Sequence, residues 1–113
     1  MRVLVCGGRD FDNVAFVRSR LDALHAQQPI THLIHGGARG VDTIAGDWSK
    51  TKSIERYVCL ADWNKHGKVA GPIRNARMLE WKPDLVVAFP GGRGTANMIE
   101  QAERAGVPVK RIE

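Results

Sequence analysis

The chain has 113 residues, of which 43% are hydrophobic and 26% charged, proportions that fit one ordinary globular domain. Size scaling gives a folded surface of about 6,200 Å² against roughly 18,000 Å² for the extended chain, so about two-thirds is buried without help from a metal or a disulfide. Seventeen Lys and Arg against twelve Asp and Glu leave a net charge of +5, which argues against cationic partners and favours nucleic acid, nucleotides or phosphorylated metabolites.

Cys6 and Cys59 are too few and too far apart for a zinc cluster or a disulfide framework, and are expected as reduced, buried thiols in a cytoplasm. The opening Met1-Arg2-Val3-Leu4-Val5 lacks the basic region and long apolar run of a signal peptide, and no apolar stretch approaches the ~18 residues of a membrane span. Neither secretion nor membrane insertion is expected.

Arg2 to Cys6 is a short apolar run ending at Gly7-Gly8, the pattern of a buried strand entering a turn. Asp12 or Asn13 can cap a helix in which Val14, Val17, Leu21 and Leu24 recur at helical spacing, closed by Pro29. Thr31 to His35 is a second strand entering Gly36-Gly37, and residues 40–52 read as a helix with Val41, Ile44, Ala45 and Trp48 on one side. Ile54 to Leu60 is the third strand. Ala61 to Gly71 shows no apolar period and is expected as a loop, after which Pro72 suits the first turn of a helix running to Lys82. Asp84 to Phe89 is the strongest strand signal; it ends at Pro90-Gly91-Gly92-Arg93-Gly94, and Thr95 is expected to cap a last helix. Gly106 stops that helix, and Val107 to Ile112 forms the fifth strand. Alternating helices and continuously apolar strands imply an α/β fold: one Rossmann-like, doubly wound domain over residues 1–113, with about five parallel strands flanked by helices.

In such a sheet the carboxyl ends of the strands share one rim, so the glycine pairs Gly7-Gly8, Gly36-Gly37 and Gly91-Gly92 are expected to meet there. Each loop leads into a helix whose first turn presents unpaired N–H groups, and a missing side chain lets an anion approach that backbone. The bland reading is that glycine only permits a tight turn. An arginine close behind each pair, Arg9, Arg39 and Arg93, favours a phosphate cradle, because a guanidinium fork matches phosphate or carboxylate. The helix after Pro72 adds Arg74 and Asn75 near the same rim, while Lys65 and Lys68 are as well explained by raising the local potential.

His35 reads more readily as a satisfied rim histidine than as a ligand contact, and Trp48 and Trp81 as packing residues. Trp63 is open to base stacking or to anchoring its loop. For Asp42, early in a helix, capping, ribose binding and catalysis all stay open. No Gly-x-Gly-x-x-Gly follows the first strand, and there is no P-loop lysine, paired metal-ligand spacing or nucleophile elbow. No cofactor and no metal is expected, and any catalysis would have to use carboxylates.

Together Gly36-Gly37-Ala38-Arg39-Gly40-Val41-Asp42, Ile73-Arg74-Asn75 and Pro90-Gly91-Gly92-Arg93-Gly94-Thr95 resemble the SLOG superfamily, which joins the DNA-processing protein A family to the lonely-guy phosphoribohydrolases in a Rossmann-like fold. Val5-Cys6-Gly7-Gly8-Arg9-Asp10-Phe11 and the stretch from Ala61-Asp62-Trp63 to Asn75 look most like its small YspA-type branch. The resemblance implies binding of a nucleotide or nucleotide-derived ligand at the rim, with phosphate held by Gly91, Gly92, Gly94 and Thr95. It implies that Arg74 matches the arginine used near the scissile bond, and that Gly37, Arg39, Gly40 and Asp42 form a binding loop.

The chain departs from the phosphoribohydrolases at Met98, where they carry a glutamate. A carboxylate there would stabilise the oxocarbenium-like state of N-glycosidic cleavage, and methionine does not. Glu100 lies about 200° further round the helix, which leaves Asp10, Asp42 and Glu100 as candidate acidic partners of Arg74. N-glycosidic hydrolysis is therefore the enzyme version of the reading. Single-stranded nucleic-acid binding through the basic rim and a non-catalytic nucleotide sensor or sequestering protein are its alternatives. Homodimerisation is expected by analogy.

Overall fold

The computed structural model describes residues 1–113 throughout. In chain order it contains β1 (Arg2–Cys6), α1 (Val14–Gln27), β2 (His32–His35), α2 (Val41–Thr51), β3 (Glu55–Val58), α3 (Trp63–His66), a single 3₁₀ turn (Gly67–Val69), α4 (Ala70–Glu80), β4 (Leu85–Ala88), α5 (Arg93–Arg104) and β5 (Val109–Arg111). The strands form one sheet in the order β3-β2-β1-β4-β5, and every pairing is parallel.

The alternation of side chains along β1 explains why helices cover both faces. Val3 and Val5 join Leu33 and Val87 in a core with Val17, Leu21, Val41, Ala45 and Trp48 from α1 and α2. Leu4 and Cys6 face the other way, joining Ile34, Val86 and Ala88 against Met78 of α4 and Met98 and Ala102 of α5. A strand buried on both sides has no polar face to show, hence the unbroken apolar runs. The chain winds outward from β1 to β2 and β3, then returns to place β4 on the opposite side of β1. Between β1 and β4 lies the switch point where such sheets open a crevice at their carboxyl ends.

Several boundaries differ from the sequence expectation. Residues 61–71 are not a loop: Asp62 caps α3 by accepting a hydrogen bond from the Lys65 amide at 3.0 Å, and α4 begins at Ala70, ahead of Pro72. A four-residue helix is barely one turn, too short to write an apolar period. Thr95 is not a cap either. Gly92 occupies that position without a side-chain bond, and Thr95 sits inside the first turn of α5. Asn13 rather than Asp12 caps α1, accepting from the Phe16 amide at 3.1 Å. β3 and β5, the two edges of the sheet, are shorter than the expected 54–60 and 107–112, as the central β4 is shorter than 84–89. Trp48 is fully buried, with Nε1 donating to Asp22 at 2.8 Å, and Trp81 packs against Tyr57, as their helical positions suggest. No helix is long and apolar enough to cross a membrane.

Candidate functional site

A hollow of about 710 Å³ opens at the switch point. Its walls come from the loop after β1 (Gly7 to Phe11), the loop after β4 with the start of α5 (Pro90 to Thr95), Ala38 and Asp42 beside β2, and Trp63, Gly71, Arg74, Asn75 and Met78 from α3 and α4. The three glycine loops do converge. Each, however, contributes differently.

Gly8 is the brace. Its amide donates to Pro90 O at 2.8 Å, tying the first loop to the third, while its carbonyl accepts from the Val41 amide at 3.3 Å, tying the first to the second. Gly40, at φ +79°, packs so closely that a Cβ would overlap the carbonyl oxygen of Gly8. A Cβ on Gly91 would stand 2.8 Å from the Gly8 nitrogen and run into the Thr95 hydroxyl. These glycines let backbone lie against backbone.

The second loop is already satisfied by the chain itself. Asp42 Oδ2 accepts from the amides of Gly36 at 3.1 Å and Ala38 at 3.2 Å, and His35 Nδ1 accepts from Gly37 at 3.0 Å. The Gly36 carbonyl accepts from Arg74 Nη1 at 2.8 Å, and a Cβ on Gly36 would overlap that guanidinium. Gly36, Gly37 and Gly40 do not line the hollow, and the amides of Gly36, Gly37 and Ala38 are taken up within the chain, which corrects the expectation that all three loops present free amides to a ligand. Arg39 does not line it either: its side chain is 75% exposed and pairs with Asp10 at 3.1 Å on the surface.

The third loop is the open one. Gly91, Gly92, Arg93, Gly94 and Thr95 all line the hollow, and no side chain caps the first turn of α5. Neither Gly92 nor Gly94 has a positive φ, and a Cβ on either would meet nothing within 4 Å. Nothing inside the protein requires a glycine at these two positions; they leave room for something outside it. Thr95 is 8% exposed, and its hydroxyl has no partner in the chain.

Arg74 enters from α4 on a rigid mount. Nε donates to Asn75 Oδ1 at 2.9 Å and Nη1 to Gly36 O, which leaves Nη2 for the hollow. Asn75 is buried, and its amide donates to Gly94 O at 3.2 Å and to Asn97 Oδ1 at 3.1 Å, so the arginine and the first turn of α5 share one network. Gln101 extends this network, donating to Asn97 at 2.7 Å and to Pro72 O at 3.0 Å. Asn97 and Gln101 escaped the sequence reading. Their i,i+4 spacing was the available signal. At the mouth, the Arg9 guanidinium stands 5.5 Å from the centroid of the half-exposed Trp63 ring.

Of the candidate carboxylates, Glu100 lies outside the hollow and pairs with Arg104 along the exposed face of α5. Asp10 borders it with a side chain 92% exposed. Asp42 is buried, which pushes its carboxyl up to about 6 against the opposing pull of the Ala38 amide and Arg74. Met98 is fully buried in the core under the sheet, so position 98 does not reach the hollow. Burial pushes the Cys6 thiol up to about 12 and keeps it neutral, so it is no nucleophile at ordinary pH.

His35 is buried and held neutral, pushed down to about 4 by desolvation and Arg56. Its shift and that of Asp42 oppose each other in stability. Between about pH 4 and 6 the folded state keeps a proton on Asp42 that the unfolded state has lost, so Asp42 makes stability fall as pH rises. Over the same window the unfolded state protonates His35 and the folded state does not, so His35 makes stability rise. Replacing His35 by Asn, whose oxygen can still accept from Gly37, is expected to tilt the profile. Urea denaturation from pH 4 to 6 should show the variant losing roughly 1 kcal/mol per pH unit relative to the parent. A parallel profile would sink this account.

A five-stranded parallel sheet with a hollow at its switch point makes this a Rossmann-like domain. The family model described as YspA, cpYpsA-related SLOG matches residues 1–66. The "Gene 61 protein" of Mycobacterium phage D29 is 39% identical over 116 residues, spanning 96% of this chain and 93% of that one. The chain belongs to the YspA, cpYpsA-related SLOG family, a membership that suggests nucleotide-related ligand binding. Its fold is also that of TM1055, a Northeast Structural Genomics Consortium target solved by X-ray crystallography. The match has a TM-score of 0.73 and 22% identity, and covers 96% of this chain and 71% of that chain.

Proposed function

We propose that the hollow binds a nucleotide or a nucleotide-derived molecule, with its phosphate against the first turn of α5 and its base toward Trp63. The observation that carries this is the pair Gly92 and Gly94, bare of side chains for no internal reason beside an uncapped helix start. The free Nη2 of Arg74 and the Thr95 hydroxyl supply further donors, and Arg93 adds charge. The reading is one of binding, as in a sensor or sequestering protein. Hydrolysis of an N-glycosidic bond would rest on Asp10 or Asp42, the two carboxylates that border the hollow, because Met98 and Glu100 lie elsewhere. We place the protein in the cytoplasm, in keeping with two free thiols. We further propose that two copies pair, with the exposed Val58 and Leu60, which meet beside Gly37, as the apolar surface available for it.

Titration calorimetry with nucleoside 5′-monophosphates, the matching nucleosides and short single-stranded oligonucleotides tests the reading. Monophosphates are expected to bind at least about tenfold more tightly than nucleosides, and to stabilise the fold by roughly 2.7 kcal/mol at a hundredfold excess over Kd. Binding confined to oligonucleotides, with affinity falling steeply in salt, would replace it with the nucleic-acid reading.

A further inference from the structure

The polar wall of the hollow is rich in donors: the uncapped amides of α5, Arg9, Arg74, Arg93 and the Thr95 hydroxyl. These suit a phosphate. They can donate to the oxygen of a sugar hydroxyl, but the hydroxyl proton is best met by a carboxylate acceptor. Two carboxylates border the hollow. Asp10 lies almost wholly in water beside Arg39, where a further hydrogen bond gains little over water.

Asp42 is different. It is 6% exposed, and its Oδ2 is fixed by the amides of Gly36 and Ala38, so the carboxylate has one orientation. Oδ1 has no partner in the chain, yet it is not sealed in, since the side chain borders the hollow. Asp42 does not cap α2, whose N-cap is Gly40, and holding two loop amides does not explain the residue, because an asparagine oxygen would accept them without burying a charge. It stands beside the end of β2, two strand spacings or about 10 Å from the end of β4. Between them lies β1, whose exit residues Gly7 and Gly8 carry no side chain. A phosphate on α5 would lay its sugar over that gap with the hydroxyl edge toward Asp42.

We propose that Asp42 is a specificity residue whose Oδ1 accepts a hydrogen bond from the ribose 2′-hydroxyl, so that the hollow selects ribonucleotides over 2′-deoxyribonucleotides. The inference rests on the nucleotide reading above. It assigns Asp42 a contact with the ligand and no part in bond cleavage.

The test is calorimetry of adenosine, guanosine, cytidine and uridine 5′-monophosphates beside their 2′-deoxy counterparts. The parent protein is expected to favour the ribo form of its preferred base by about tenfold or more. Asp42→Asn keeps an oxygen for Gly36 and Ala38 but exchanges the charged acceptor facing the sugar for a neutral NH2 that meets only the hydroxyl oxygen, so its ratio is expected to fall at least severalfold. The phosphate increment, monophosphate against nucleoside, is expected to persist in the variant. Equal affinity of the parent for both sugars overturns the proposal while leaving nucleotide binding intact, and so does an unchanged ratio in a folded Asp42→Asn. Failure of every one of these compounds to bind overturns the nucleotide reading itself. If Asp42→Asn does not fold, a parent ratio of one still overturns the proposal, and Asp42→Ser, whose hydroxyl can accept from the loop amides, supplies the comparison otherwise.

Discussion

Replacing Gly40 by alanine is expected to cost roughly 3–5 kcal/mol of stability, a value that places it among the severe single substitutions. Gly40 sits at φ +79° and ψ −129°, a region that glycine alone occupies readily, and strain there amounts to about 1–3 kcal/mol. The added carbon would also press on the carbonyl oxygens of Gly8 and Arg9. Both are backbone atoms that cannot rotate aside, so the first and second loops must part and the Val41-to-Gly8 bond with them. Urea denaturation reads this as a lower midpoint at an unchanged slope. Gly92→Ala is the control: its Cβ meets nothing, so the cost is expected to be only the roughly 1 kcal/mol or less of a poorer N-cap residue, while monophosphate affinity falls. An alanine tolerated at position 40 would show that the close approach is not what holds the loops.

Arg74→Ala is expected to weaken monophosphate binding by about a hundredfold or more, in line with the roughly 3 kcal/mol at the upper end for hydrogen bonds to charged groups. Its mount explains why lysine is not expected to rescue it. Nε is held by Asn75 and Nη1 by Gly36, so the third nitrogen is aimed by a planar fork that an ammonium cannot copy. The loss should be seen with monophosphates and should largely vanish with nucleosides. An affinity within threefold of the parent would remove Arg74 from the site.

Much of this was legible in the sequence because strands buried on both faces are written as β-branched runs, and the first, second and fourth runs stop at Gly7-Gly8, Gly36-Gly37 and Pro90-Gly91-Gly92. Five strands, their parallel arrangement and the shared rim follow from that. What a run of letters does not carry is where a donor's partner comes from. The amides of Gly36 and Ala38 look as free as those of the last loop, and only the folded backbone brings the Asp42 carboxylate onto them. Arg39 likewise follows its glycine pair as Arg93 does, yet it turns to Asp10 on the surface. α3 was hidden by its length, although Asp62 three residues before Lys65 is a capping spacing that could have been read. The i,i+4 spacing of Asn97 and Gln101 marks one helix face, but what that face meets, Asn75 and Pro72 of α4, is known only once the helices are packed.

The bracing of three loops on Gly8 bears on how quickly a guest is taken up. Because those main-chain contacts form as the domain folds, the receptor meets its visitor already shaped, and little further ordering remains for the moment of capture. Uptake of that kind is governed by encounter and by the pull of the surrounding arginines rather than by a slow rearrangement, so ionic strength would be its main throttle.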